Sequence, residues 1–120
     1  MPQPHYQLKI GATIMEVSYH RVQVVGIHFR GRDVKELAAS LPLGTELSLR
    51  REPENEHDQN AIMVYYLDTH IGYVNRQSAL WIAPDMDEGV EYTALLVDYE
   101  DIVNGAGRTN RHPMIDVGLA

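Results

Sequence analysis

The alternation of apolar and polar positions changes period several times along the chain, and each change marks an element. Val22, Val24 and Gly26 alternate with Gln23, Val25 and Ile27, a β-branched run that predicts a strand buried largely on both faces and leading into His28, Phe29 and Arg30. Gly31 punctuates. Val34, Leu37, Ala38 and Leu41 then recur at i, i+3, i+4 and i+7, the stripe of a short helix, with Asp33 and Glu36 as its N-terminal capping pair and Pro42 with Gly44 as its stop. From Thr45 to Arg51 the period returns to two, Leu47 and Leu49 alternating with Glu46, Ser48 and Arg50, as a half-buried strand requires. Pro53 ends that strand, and Glu54 to Asn60 is a loop without an apolar residue. Ala61 to Leu67 and His70 to Val74 read as two strands of a hairpin turning at Asp68-Thr69.

Arg76 to Asp87 carries Ala79, Ile82, Ala83 and Met86 on one helical stripe. Pro84 lacks an N–H and crowds the preceding turn, so two short helical turns meeting there are expected. Glu91 to Tyr99 is a further strand. The flanks add apolar content for one or two strands in Tyr6 to Tyr19, a flexible loop at Asn104-Gly105-Ala106-Gly107, and a last edge strand from Pro113 to Gly118. Short strands at regular spacing with two short helices predict a mainly β (α+β) fold, a small OB-like or SH3-like β-barrel of about six strands. Residues 21–99 form the expected barrel domain, 1–20 an N-terminal extension packing on it, and 100–120 a C-terminal extension.

With 120 residues the chain is long enough for one packed core and too short for two ordinary domains. The absence of cysteine removes disulfides, thiol nucleophiles and cysteine-ligated metal centres. No apolar run approaches the roughly 18 to 20 residues that span a bilayer, and Met1 to Ile10 lacks the apolar core of a secretory signal, so a soluble cytoplasmic protein with no membrane partner is expected. A net charge of −7 opposes uniform coating of nucleic acid. The charge is uneven, however. His20 to Arg51 is locally basic, whereas Asp85 to Asp101 holds seven acids, at 85, 87, 88, 91, 98, 100 and 101, and no Lys or Arg.

Three segments resemble the HIRAN domain family, known from the N-terminal regions of certain SWI/SNF-type DNA-repair helicases and as a stand-alone domain in bacteria and phages. They are Val24-Val25-Gly26-Ile27-His28-Phe29 with the helix after it, Arg51 to Ile62 with its spaced Pro53, Asn55, Asp58 and Asn60-Ala61, and Ile71-Gly72-Tyr73-Val74 with the helical segment reaching Ala83-Pro84. The resemblance covers residues 21 to 97. It implies a modified OB-like barrel that binds the 3′ end of single-stranded DNA without catalysis. Carried over by position, the family's contacts fall on His28, Phe29, His57, Asp58, Tyr73 and Arg76. His28 stands where DNA-binding members carry Arg, and His57 where they carry Tyr, so a permanent cation and one stacking ring are both weakened.

The side chains suit that chemistry, and each also has an ordinary structural role. Phe29 and Tyr73 are rings that stack on bases or complete a core. Asp58, an acceptor-only carboxylate, suits a free sugar hydroxyl and repels a terminal phosphate; Asp58 and Asn60 also lie just before a strand, where such side chains bond the local backbone. Asn55 and Pro53 read as loop-shaping. Arg76 opens a helix and offers a bidentate guanidinium to phosphate, while Arg30 and Arg32 flank Gly31 on what would be the same side. Trp81, beside the stripe of the second helix, reads as a core-edge residue. The six histidines show no metal-binding pairing, and no HExxH, GxSxG or phosphate-loop motif is present, so neither an enzyme nor a metal or cofactor site is expected.

The expected function is a non-catalytic module for DNA repair or replication processing that recognises single-stranded DNA at its 3′-OH end. Its partners would be that DNA end and a separate helicase or nuclease. The alternative is an acidic protein-interaction adaptor, or a DNA mimic, that keeps the barrel without DNA affinity.

Overall fold

The computed structural model describes residues 5–10 and 13–120, with side chains described from Arg21 onward. In chain order the elements are β1 (His5–Ile10), β2 (Thr13–Val25), a 3₁₀ turn (Ile27–Arg30), α1 (Arg32–Ser40), β3 (Glu46–Arg51), β4 (Ile62–Tyr66), β5 (Thr69–Val74), α2 (Arg76–Asp87), β6 (Tyr92–Val103) and β7 (Thr109–Leu119). All strand pairings are antiparallel. Strand order β2-β5-β4-β3-β6-β7 returns to β2, which closes a ring of six strands, and β1 is appended to the first half of β2. This is the mainly β, OB-like barrel with two helices that the hydrophobic periods predict. The expected packing of residues 1–20 against the domain concerns side chains outside the described residues.

β2 spans three pairings. Residues 13–18 face β1, Tyr19 to Gln23 face β7, and Val24 with Val25 face β5. Val22 and Val24 are fully buried, but Gln23 and Val25 are only half-buried, so the strand buries one face and not two. A ring has an inside and an outside, and only the inside is sealed. The inside holds Leu47, Ile62, Val64, Ile71, Val74, Ala94, Leu96, Ile115 and Val117, with Ala38 of α1, Leu41 just after it, and Ala79, Ile82 and Ala83 of α2 in the same cluster.

Four local expectations are corrected. The capping pair of Asp33 and Glu36 does not form: α1 starts after Gly31, which holds φ 99° and makes no side-chain cap, and Glu36 instead accepts from Arg32 at 3.2 Å, one turn back. Pro84 does not split α2, which runs unbroken from Arg76 to Asp87. The ring removes one bond, to the carbonyl of exposed Leu80, while full burial of Ala79, Ile82 and Ala83 holds the helix on the barrel. The C-terminal strand is not an edge: β7 runs from Thr109 to Leu119 between β6 and β2, and β6 continues past Tyr99 to Val103. The hairpin turn falls one residue earlier than expected, at Leu67-Asp68, with Leu67 at φ 52°.

The ring is shut by a short seam. Only Val24↔Val74 and Val25↔Tyr73 join β2 to β5, and Gly72 is wedged there: a Cβ on it would sit 2.7 Å from the Val25 carbonyl oxygen and 2.9 Å from Val24 Cγ1. Elsewhere on the ring, Tyr99 of β6 donates its hydroxyl to the Leu41 carbonyl at 2.5 Å with that of Ala38 3.0 Å away, satisfying acceptors at the end of α1 that the helix leaves open. Among the described residues no helix is long and apolar enough to cross a membrane.

Gly72→Ala is expected to lower stability by about 1–3 kcal/mol, because the methyl meets backbone and two packed side chains rather than a flexible tip; urea unfolding measures this, and an unchanged midpoint would refute the seam's tightness. Tyr99→Phe is expected to cost about 0.5–1.5 kcal/mol by the same measurement, since it keeps the ring and removes only the donor.

Candidate functional site

The site grows out of the seam. Gly26, at φ 75°, ends β2 in a conformation that side-chain-bearing residues rarely adopt, and its carbonyl accepts from the Phe29 N–H at 3.2 Å. The resulting 3₁₀ turn buries Ile27 and leaves the next two rings outside. Phe29 is 81% exposed, and its one ring neighbour among the described residues is His28, with centroids 4.0 Å apart and planes tilted by 40°. Tyr73 faces Gly26 across the seam; a Cβ on that glycine would lie 3.5 Å from the Tyr73 ring.

The polar loop between β3 and β4 is held by its own side chains. Asn55 Oδ1 accepts from the backbone N–H of both His57 (2.8 Å) and Asp58 (3.0 Å), and Asn55 Nδ2 donates to Glu52 at 2.6 Å. Asp58 Oδ1 accepts from the Asn60 N–H at 2.9 Å. Arg51 donates to the carbonyls of Ala61 (2.5 Å) and Gln59 (2.8 Å), and its Nε reaches Asp87 of α2 at 2.8 Å. The loop is thus ordered before any ligand arrives.

Glu52 ties the loop to the seam by accepting from the Tyr73 hydroxyl at 2.9 Å. Its carboxyl is held below the usual range, chiefly by the Asn55 amide, then by Tyr73 and the charges of His70 and Arg30, against burial that acts the other way. The Tyr73 phenol is pushed up, by burial first and then by its bond to ionised Glu52. Tyr73 therefore keeps its proton, and its ring is pinned at the hydroxyl end.

Arg76 opens α2, whose first turn is capped by Asn75 Oδ1 accepting from the Ser78 N–H at 2.9 Å. The guanidinium folds over the loop, where Nη2 donates to the His57 carbonyl and Nε stands 3.7 Å from Asp58 Oδ2. It remains largely exposed, so several of its five N–H donors still face solvent.

His28, Phe29, His57, Asp58, Tyr73 and Arg76 all line one groove of about 600 Å³. Val25, Gly26, Ala61 and Val74 give it an apolar floor, and Asp58 is its one acidic lining residue. Three other sequence candidates lie elsewhere. Arg32 pairs with Glu36 on the exposed side of α1; Asn60 contributes its backbone N–H to Asp58; Arg30 stands where its charge bears on Glu52, His70 and Tyr73. Sequence reasoning missed Glu52 and the clamp formed by Arg51. Their one legible signal was an acid and a cation side by side at the end of a strand entering a polar loop. Asn55 shapes the loop as expected. Trp81 is 55% exposed on α2 and does not line the groove. Among the described residues no group of three or more His, Asp or Glu is placed to hold a metal ion.

Comparison with known proteins agrees with this fold. The chain is similar to a solved structure of a protein from Lactobacillus plantarum, with 23% identity, a TM-score of 0.59, and coverage of 85% of this chain and 98% of that one. It is likewise similar to the crystal structure of the HIRAN domain of human HLTF, at 22% identity and a TM-score of 0.57, covering 84% of this chain and 76% of the other. No curated protein sequence matches. The profile of the HIRAN domain matches residues 17–109, a span that takes in the seam, the groove and most of the ring; the chain belongs to the HIRAN domain family.

Proposed function

We propose that the groove binds single-stranded DNA at a free 3′-OH end, as a non-catalytic recognition module. The observation that carries this reading is Phe29, an 81% exposed ring on a groove that also holds a carboxylate beside a guanidinium. An unburied aromatic of this kind costs apolar exposure and contributes nothing to the core, whereas stacking on a base is worth about 1–3 kcal/mol. Family membership supports a nucleic-acid ligand.

In this reading the terminal base lies between Phe29 with His28 on one side and His57 on the other, over the apolar floor. Asp58 Oδ1 is already engaged by the Asn60 N–H, which leaves Oδ2 as the acceptor for a terminal hydroxyl. A terminal phosphate brings negative charge against that carboxylate and finds no hydroxyl hydrogen to donate. Arg76, steadied by the His57 carbonyl, offers its remaining N–H groups to the last phosphodiester. Repair or replication processing, with a helicase or nuclease on a separate chain, is the setting in which such an end would be presented.

The acidic-adaptor alternative loses some of its footing. Asp85 accepts from the Tyr92 hydroxyl at 2.7 Å and Asp87 pairs with Arg51, so two acids of the run serve the fold.

Fluorescence anisotropy at low salt with strands ending in 3′-OH or 3′-phosphate tests the reading. The 3′-OH strand is expected to bind more tightly, and Phe29→Ala to weaken it by about 1–3 kcal/mol, roughly 5- to 150-fold. Asp58→Asn keeps the acceptor for the Asn60 N–H and removes the charge, so it is expected to erase most of the preference for 3′-OH. Equal affinity for the two ends, or a Phe29→Ala variant that binds like the wild type, would overturn the proposal.

A further inference from the structure

Tyr73 borders two surfaces. One is the groove. At its other side stands His70, with ring centroids 4.9 Å apart and planes at 80°. His70 stacks in turn on Tyr65, its register partner across the β4–β5 hairpin, at 5.2 Å with planes within 13°. Arg50 of β3 places its guanidinium 3.9 Å from the Tyr65 ring centroid. The result is a continuous strip across the outside of three strands, while Val64 and Ile71 of the same strands point into the core. A register shift between Val64 and Tyr65 brings Tyr65 opposite His70.

Cross-strand stacking alone accounts for the Tyr65–His70 pair. It does not account for a guanidinium held over the outer ring of the strip in a chain of net charge −7. Arg50 stands at the β3 end, and at the Tyr73 end the charges of Arg30 and of ionised Glu52 both act on His70 and Tyr73. Tyr65 and His70 are half-buried, so their outward edges remain open. His70 Nε2 lies 2.9 Å from the Gly72 carbonyl, and since a carbonyl only accepts, that nitrogen carries the proton. Burial, then the charge of Arg30, lowers the affinity of the ring for a second proton. The strip is thus a pinned stack with the Arg50 guanidinium over Tyr65 at one end and the Glu52 carboxylate on Tyr73 at the other, so what it offers a single strand is ring edges for the bases and the N–H groups of Arg50 for a phosphate.

We propose that the strip of Arg50, Tyr65, His70 and Tyr73 is the continuation of the nucleic-acid site, receiving the bases on the 5′ side of the terminal nucleotide. The proposal rests on the reading of the groove as a 3′-end site. The groove then sets end selectivity, and the strip sets how steeply affinity rises with strand length.

Strands with a 3′-OH end of about 2 and about 8 nucleotides separate the two surfaces. Wild-type protein is expected to bind the longer strand about tenfold more tightly, and Tyr65→Ala to lose most of that gain with the loss confined to the longer strand. Tyr65→Phe, which retains the ring, is expected to keep it. Arg50→Gln leaves the hairpin pairing untouched and is expected to reduce the salt slope for the longer strand by about 1. A wild-type affinity that does not rise with length, or a gain and salt slope unchanged in both Tyr65→Ala and Arg50→Gln, would overturn the strip while leaving end binding in the groove intact. Failure of the wild type to bind either strand would overturn both readings together.

Discussion

The structure turns on the short seam between β2 and β5. Two register pairs close the ring there, and they close it only because Gly72 presents no side chain to the β2 backbone. Ring closure is what removes free edges from the six strands and seals the inner face against water. The same closure makes the site. Gly26 leaves β2 at the point where Tyr73 arrives on β5, so the turn bearing His28 and Phe29 is set down beside Tyr73 by the connection that completes the barrel. Core and groove therefore share one constraint.

The second organising feature is the way the polar loop satisfies itself. Its backbone groups are bonded to Asn55, Asp58, Arg51 and one another, and Glu52 joins it to Tyr73. A loop of this length without apolar anchors would ordinarily lose much of its affinity for a ligand to the entropy of ordering. Here much of the ordering is built in by these bonds, and two of the charges around the loop are paired: Arg51 with Asp87, and the Asp58 carboxylate with Arg76. The negative net charge of the chain consequently says little about the groove, where one carboxylate meets one guanidinium and two histidines.

Much of this was legible in the chain. The period of two located β3, the Ile-, Val- and Tyr-rich run with its turn located the β4–β5 hairpin, the stripe of Val34, Leu37, Ala38 and Leu41 located α1, and three short motifs brought six of nine candidate residues to one groove. What escaped was set by contacts between distant positions. The capping pair in α1 gave way to a glycine whose conformation is fixed by the turn before it. The proline in α2 was overridden by burial of Ala79, Ile82 and Ala83, and the last strand became interior because β2 is long enough to serve both β7 and β5. Glu52 and Tyr73 lie 21 positions apart, and Arg51 and Asp87 36 apart; neither partnership has a local signature. Arg30 and Arg32 look equivalent around Gly31, yet Arg32 pairs with Glu36 along α1, while the charge of Arg30 bears on His70.

The loop has one more consequence, for which of its positions the scaffold depends on. His57 contributes its N–H to Asn55 and its carbonyl to Arg76, but its imidazole makes no hydrogen bond to any described residue. The shape of the loop is thus written in the main chain at this position and in the side chains on either side of it. Position 57 is free to exchange one ring for another, or for none, without loosening the scaffold. Under the proposed reading, a change of ring at position 57 would alter the contact with the terminal base while leaving the loop and the barrel as they are.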